Sequence, residues 1–325
     1  MSTKFRWGII GTGGIARRFV LDLALADGHE VVAVGSRTID KARTFANEYG
    51  IKPLGSYEEL VNEDLDAVYV ATPHPMHAPN TILALNHGKP VLCEKPFAVN
   101  ARESAAMIAA ARTNNLLLVE AMWSRFLPHY RQITSLINAG EFGEIISISA
   151  DHGQPLPAPK YHRLHAPELA GGALLDLGIY PISFSYLVLG KPQAITARAD
   201  FTESGVDAQT SMIFQYENSA HANLTTTLKV RTACTATIVG TRATLFVHGS
   251  FYTPTSMRLQ RVDGTTVEFE RNYQGHGLRE QAIEFANLVA SEKKESDLMT
   301  LSDTQSIMET MDEIRSQIGL TYPFE

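Results

Sequence analysis

Short, almost wholly apolar runs punctuate the first part of the chain: Phe5 to Ile10, Glu30 to Val34, Ala67 to Ala71, Pro90 to Cys93 and Leu116 to Val119. Runs of this length that are apolar on both faces are the mark of buried parallel strands, and the amphipathic stretches between them predict crossover helices. Two of those helices announce their first turn. Ser56 with Glu59, and Asn100 with Glu103, place a short polar cap three residues before a carboxylate, a pairing that satisfies free backbone donors. The pattern predicts a doubly wound α/β half.

Beyond a helix expected from Pro128 to Ala139 and ended by Gly140, the period changes to two. Strands are expected at Ile145 to Asp151, Ala194 to Phe201, Thr210 to Gln215, Ala220 to Thr227, Cys234 to Val239, Thr244 to Val247 and Met257 to Arg261. Turn residues join them, so the sheet should be largely antiparallel. Helices are expected at Ala173 to Leu189, Leu278 to Ser291 and Ser302 to Ile318, the last stopped by Gly319. The chain thus divides into residues 1–122, α/β, and residues 123–325, an α+β domain with a large, mostly antiparallel open sheet.

Composition narrows the partners. Of 325 residues, 44% are hydrophobic and 19% charged, which is ordinary globular usage, and two domains of this size can each bury a core. The net charge of −7, with no run of Lys and Arg, argues against nucleic acid. Met1 to Trp7 carry no signal-peptide pattern, and no window reaches the ~18 uncharged apolar residues of a membrane span. A soluble, cytoplasmic protein is expected. Cys93 and Cys234 lack paired metal or redox spacing and read as buried thiols in a reducing compartment.

The first strand runs into Gly11-Thr12-Gly13-Gly14-Ile15-Ala16, a G-x-G-x-x-A sequence opening a helix. In that context Gly11 permits the tight turn, Gly13 admits a pyrophosphate to the backbone, and Ala16 lets the helix pack on the sheet. The helix N-terminus then faces the anion. This is the dinucleotide-binding turn of a Rossmann domain. An acidic residue at the end of the second strand would hold a ribose 2′-hydroxyl, but that place reads Gly35-Ser36-Arg37-Thr38. A hydroxyl and a planar guanidinium suit a 2′-phosphate, so NADP is expected, with Lys41 adding positive charge. Arg37 could instead stack on the adenine or face solvent, and NAD use then stays open.

At the carboxyl edge of the sheet, where open α/β folds bind ligands, stands Cys93-Glu94-Lys95-Pro96. Further on, Gly171 to Tyr180 (GGALLDLGIY) sets Asp176 and Tyr180 four apart, on one face if the segment is helical. The fingerprint, Glu94-Lys95-Pro96 and the Asp176 to Tyr180 stretch together resemble the Gfo/Idh/MocA oxidoreductase family over nearly the whole chain. Val119 to Phe126 (VEAMWSRF) and Gly171 to Tyr180 resemble its branch of dimeric dihydrodiol dehydrogenases and NADP-dependent D-xylose dehydrogenases. Many members have histidine where Tyr180 stands, which separates this chain from inositol dehydrogenase-like members. The resemblance implies a C-terminal sheet that often forms the dimer surface.

It also implies roles that agree with the chemistry. Removing a hydride from an alcohol carbon requires a base for the hydroxyl proton, and the reverse reduction the matching acid. Tyr180 is the candidate. A free phenol titrates near 10, and an ammonium about 4 Å away supplies roughly the 4 kcal/mol needed to bring it near neutrality at an effective dielectric of about 20. Lys95 is the ammonium, and Asp176 could orient it or a substrate hydroxyl. The bland alternative is a buried helix tyrosine with a satisfied hydroxyl. Thr72, Pro73 and His77 are expected to border the cofactor, together with Glu94. His74 and His77 lack an acidic or Cys partner at ligand spacing, so no metal is expected. Trp123, Arg125 and Phe126 read either as cleft lining or as core. Tyr161, His162 and Arg163 lie in a Pro-rich loop that either covers the site or is plain surface.

The expected activity is hydride transfer between NADP(H) and a carbohydrate or cyclic trans-diol. Two alternatives remain: a non-catalytic dinucleotide-binding regulator of a sugar pathway, and a sugar oxidoreductase with a tightly held cofactor. A homodimer or higher homo-oligomer is expected.

Overall fold

The computed structural model describes residues 4–155 and 162–325. Two units divide the chain: residues 1–126 with 274–305, and residues 127–273 with 306–325. The sequence boundary at 122/123 therefore lies a few residues early, and the C-terminal part is not contiguous. Periodicity shows that a helix has an apolar stripe but not which sheet receives it.

In the first unit the order is β1 (Phe5–Ile10), α1 (Gly14–Leu23), β2 (His29–Gly35), α2 (Ile39–Tyr49), β3 (Lys52–Leu54), α3 (Tyr57–Val61), β4 (Ala67–Val70), α4 (His77–Asn86), β5 (Val91–Glu94), α5 (Ala101–Thr113) and β6 (Leu118–Ala121). All strand pairs are parallel, in the order β3-β2-β1-β4-β5-β6, the doubly wound arrangement whose switch point falls between β1 and β4. Short β3 has no apolar run and was not legible. The two caps form as expected: Ser56 and Asn100 accept from the amides of Glu59 and Glu103. Each glutamate reaches back to the residue before the cap, Gly55 or Val99. Trp7 explains why residues 274–305 join this unit, since its ring meets Phe19 and Phe285 at 5.5 and 5.3 Å.

The second unit contains α6 (Pro128–Asn138), β7 (Ile145–Gly153), α7 (Ile179–Leu189), β8 (Ala194–Phe201), β9 (Asp207–Gln215), β10 (His221–Thr227), β11 (Ala236–Gly240), β12 (Ala243–Val247), β13 (Met257–Arg261) and β14 (Thr266–Phe269). Its eight-stranded sheet runs β14-β13-β12-β11-β7-β10-β9-β8 and is antiparallel except where β10 lies parallel to β7. Burial alternates along β9 and β10, so one face is packed and the other open. The chain closes with α8 (Leu278–Ala290), in the first unit, and α9 (Leu301–Ile318), which contributes to both.

Two expectations need correction. The helix expected from Ala173 begins as a π turn, Leu174–Gly178, before α7. Pro167–Leu189 is also long and apolar enough to cross a membrane, although 89% of that window is buried inside the protein. It is a core element, and its apolar character on all sides follows from that burial.

Candidate functional site

The turn after β1 is built as the sequence demands. Gly11 has φ +113°, and a Cβ there would lie 2.5 Å from the Ala71 carbonyl oxygen, so the crests after β1 and β4 touch through a glycine alone. At Gly13 and Gly14 a Cβ would meet nothing within 4 Å. Gly13 caps α1 without a side chain, leaving first-turn amides available, while Thr12 and Ile15 flank them half-buried. This open backbone cradle fits a pyrophosphate.

At the end of β2, Ser36 is buried, whereas Arg37 and Lys41 are exposed. Among the described residues no carboxylate pairs with Arg37. By contrast, Arg17 is engaged with Glu48 and lies over the Phe45 ring.

On the β4 side, Thr72 accepts from Asn80 and Pro73 precedes a short 3₁₀ turn. His77 departs from expectation. It is fully buried, with its ring nitrogens 2.8 Å from the carbonyl oxygens of Thr72 and Pro96. It therefore ties the Thr72 loop to the Lys95-Pro96 loop instead of facing a ligand, and burial pushes its pKa down to about 3. Glu94 is likewise turned inward, accepting from the Tyr69 hydroxyl. Lys95, half-buried, follows at the strand's carboxyl end.

Trp123, Arg125 and Phe126 form a 3₁₀ turn and are 3%, 4% and 0% exposed. Trp123 rests on the His276 ring and Arg125 faces Asp303 at 3.8 Å. These contacts are packing and charge compensation within the first unit.

Beside them is a group the sequence reading missed. Glu120, on β6, is 1% exposed and accepts from Thr304. A carboxylate inside an apolar strand was the available signal. Burial, aided by nearby Glu94, raises its pKa to about 7. The folded protein therefore binds a proton that the unfolded chain has released, and stability falls as pH rises from about 4.5 to about 7. Glu120→Gln should match the wild type in urea near the lower limit and exceed it above the upper by on the order of 3 kcal/mol. An equal difference at both pH values would contradict this.

In the second unit, Asp176 and Tyr180 are each 6% exposed. Arg163 donates to Asp176 at 3.0 Å, which brings two expected site residues together. His162 accepts the Leu164 amide, and Tyr161 lies outside the described residues. Asp176 sits in the π turn and Tyr180 in α7, so they do not share one regular α-helix face. π turns recur at functional sites because they alter the helical phase. Around Tyr180 the structure places His152 and Tyr252, with ring centroids 5.2 and 4.6 Å away. Neither was anticipated, though His152 falls on the inward row of β7 with Ile148 and Ala150, where a polar residue is unusual. Lys95 belongs to the first unit and Tyr180 to the second.

The Gly171-Gly172 pair has a structural reason. A Cβ on Gly171 would lie 2.6 Å from the Leu164 oxygen, and one on Gly172, φ +118°, would lie 2.1 Å from Asp207 Oδ1. Asp207 is fully buried and accepts from the Leu174 amide and the Thr210 hydroxyl, so it caps the π turn from another strand. Burial raises its pKa to about 6.

Comparisons agree with this anatomy. Residues 5–121 match "Oxidoreductase family, NAD-binding Rossmann fold", and residues 130–246 match "GFO/IDH/MocA C-terminal domain". The trans-1,2-dihydrobenzene-1,2-diol dehydrogenase of Xenopus laevis is 37% identical, over 99% of this chain and all of that protein. The human enzyme of that name is 34% identical over 98% of each. Among solved structures, the Actinomadura kijaniata 3-ketoreductase KijD10 in complex with NADP and TDP-benzene superposes with a TM-score of 0.85 at 28% identity, covering 97% and 98% of the two chains.

Proposed function

The chain belongs to the Gfo/Idh/MocA oxidoreductase family, as an NAD(P)-dependent dehydrogenase or reductase, and on that premise we propose that it interconverts an alcohol and a carbonyl on a cyclic trans-diol or a pyranose-like sugar using NADP(H). The observation that carries the cofactor choice is Arg37, an exposed guanidinium without a carboxylate partner among the described residues, where NAD-preferring sites carry an acid. The trans-diol follows from the names of the relatives, and the sugar from the aldose-aldose oxidoreductase of Caulobacter crescentus, a solved structure 25% identical to this chain with a TM-score of 0.87.

The residues fit the cofactor. The Gly11 to Gly14 cradle and the first turn of α1 would hold the pyrophosphate, Ser36, Arg37 and Lys41 the 2′-phosphate, and Thr72 and Pro73 would border the nicotinamide side. When bound, NADP accepts or donates the hydride. Tyr180 takes the hydroxyl proton in oxidation and returns it in reduction. Lys95 favours the phenolate and orients the reacting oxygen. Asp176, held by Arg163, accepts a hydrogen bond from a neighbouring substrate hydroxyl, which suits a vicinal diol.

Arg37→Ala should weaken NADP binding by about 10- to 100-fold, the worth of charged hydrogen bonds to phosphate, and leave NAD binding almost unchanged. Titration calorimetry with both nucleotides reads this; equal losses for the two would contradict it. The open sheet face, with Ser149, Ser211, Ile213 and Asn223 exposed, is proposed as a homodimer surface. Sedimentation should give a dimer that Ile213→Lys shifts toward monomer, and a monomeric wild type would overturn it.

A further inference from the structure

Leu177 sits between Asp176 and Tyr180 in the π turn. In a regular α-helix its carbonyl would accept the amide four residues on, but that residue is Pro181, which has no amide hydrogen and whose ring crowds that carbonyl. The Ile179 amide lies against that oxygen from two residues on, and a further donor comes from another element. His152 Nδ1, on β7, lies 3.2 Å from the Leu177 oxygen. Gln154 Nε2 is 2.8 Å from His152 Nε2 and 2.7 Å from the Tyr252 hydroxyl. An amide nitrogen carries two hydrogens and donates to both, so Nε2 is the acceptor and the ring proton resides on Nδ1, where it is given to Leu177. The His152 ring also stacks on Tyr252, at 4.1 Å and 27°, and meets Tyr180 edge-on.

We propose that His152 is a positioning residue for the reaction: it supplies the donor that Pro181 withholds from Leu177, and so fixes the turn that sets Asp176 and Tyr180 in phase. The inference rests on the acid-base reading of Tyr180. Each residue of helical phase is about 100°, and a displacement of about 1 Å at a reacting group can cost 10²-fold, so a small relaxation of the turn registers in turnover.

The variants separate donor from ring. His152→Phe keeps an aromatic ring beside Tyr180 and Tyr252 but donates nothing, whereas His152→Asn puts an amide N–H near the place of Nδ1. His152→Phe should lower kcat by about 30-fold with substrate KM and NADP affinity within about twofold, and His152→Asn should recover most of the loss. Pro181→Ala returns the backbone amide and should make His152→Phe markedly less costly, a coupling that a merely structural histidine would not show and that stands if one variant folds poorly. Unchanged kcat in His152→Phe, no rescue by asparagine, or strict additivity with Pro181→Ala overturns the proposal. Tyr180→Phe run alongside keeps the failures apart. Full activity of His152→Phe beside an inactive Tyr180→Phe removes the histidine's role alone; full activity of Tyr180→Phe removes the acid-base reading.

Discussion

Replacing Tyr180 with phenylalanine should lower kcat by about 10³-fold while NADP affinity and the thermal midpoint stay near their wild-type values. The ring is 6% exposed and packed beside His152 and Tyr252, and phenylalanine fills the same volume, so the packing survives and only the hydroxyl is lost. On the proposed acid-base role, that hydroxyl is the proton acceptor for the reacting oxygen. Lys95→Met should also slow turnover, by less, because the phenol remains but loses the ammonium that favours its ionised form. The double variant should be little worse than Tyr180→Phe alone, as the proposed action of the lysine through the tyrosine requires. Independent, additive losses would mean that the two residues do separate work.

The largest effect on stability is expected at Gly172. Alanine there combines a positive φ with a Cβ placed 2.1 Å from the Asp207 carboxylate, which itself caps Leu174 and cannot withdraw without leaving buried amides unpaired. Backbone strain and overpacking each cost about 1–3 kcal/mol, so a total near 4 kcal/mol and a fall of roughly 10 °C in the unfolding midpoint are expected. Asp207→Ala removes both the cap and the obstruction. It should be destabilising alone, yet the pair should lose less than the sum of the singles. Calorimetry of the four proteins reads this, and simple additivity would show that the glycine is required for φ alone. The Gly-Gly signature would then hold the turn without reference to Asp207.

What the sequence displayed and what it hid have physical causes. β1, β8 and β13 were legible to the residue because their alternation or apolar runs end at clear turn signals. The nucleotide cradle was legible for a local reason: its glycines, strand and helix are consecutive in the chain. Residues whose meaning depends on distant partners were not. Glu120 becomes a proton-binding group only because Thr304 and the surrounding core enclose it, and Asp207 becomes a cap only when β9 is brought to the Leu174 amide. The place of His77 after β4 points to the cofactor, but its buried ring lies between the carbonyl oxygens of Thr72 and Pro96 and, neutral, donates its one N–H to one of them. The π turn had one local signal, Pro181, four residues after a carbonyl it cannot serve. That signal gains meaning only with His152 in place.

The proposed activity is oxidation of a ring hydroxyl with NADP. The direct measurement is the initial rate of NADP reduction by the purified protein with trans-1,2-dihydrobenzene-1,2-diol and a panel of pyranoses, with NAD in parallel. Saturable reduction with at least one of these substrates, faster with NADP than with NAD, is the predicted result. Tight NADP binding without turnover of any of them would contradict the account and leave a dinucleotide-binding regulator as the better reading.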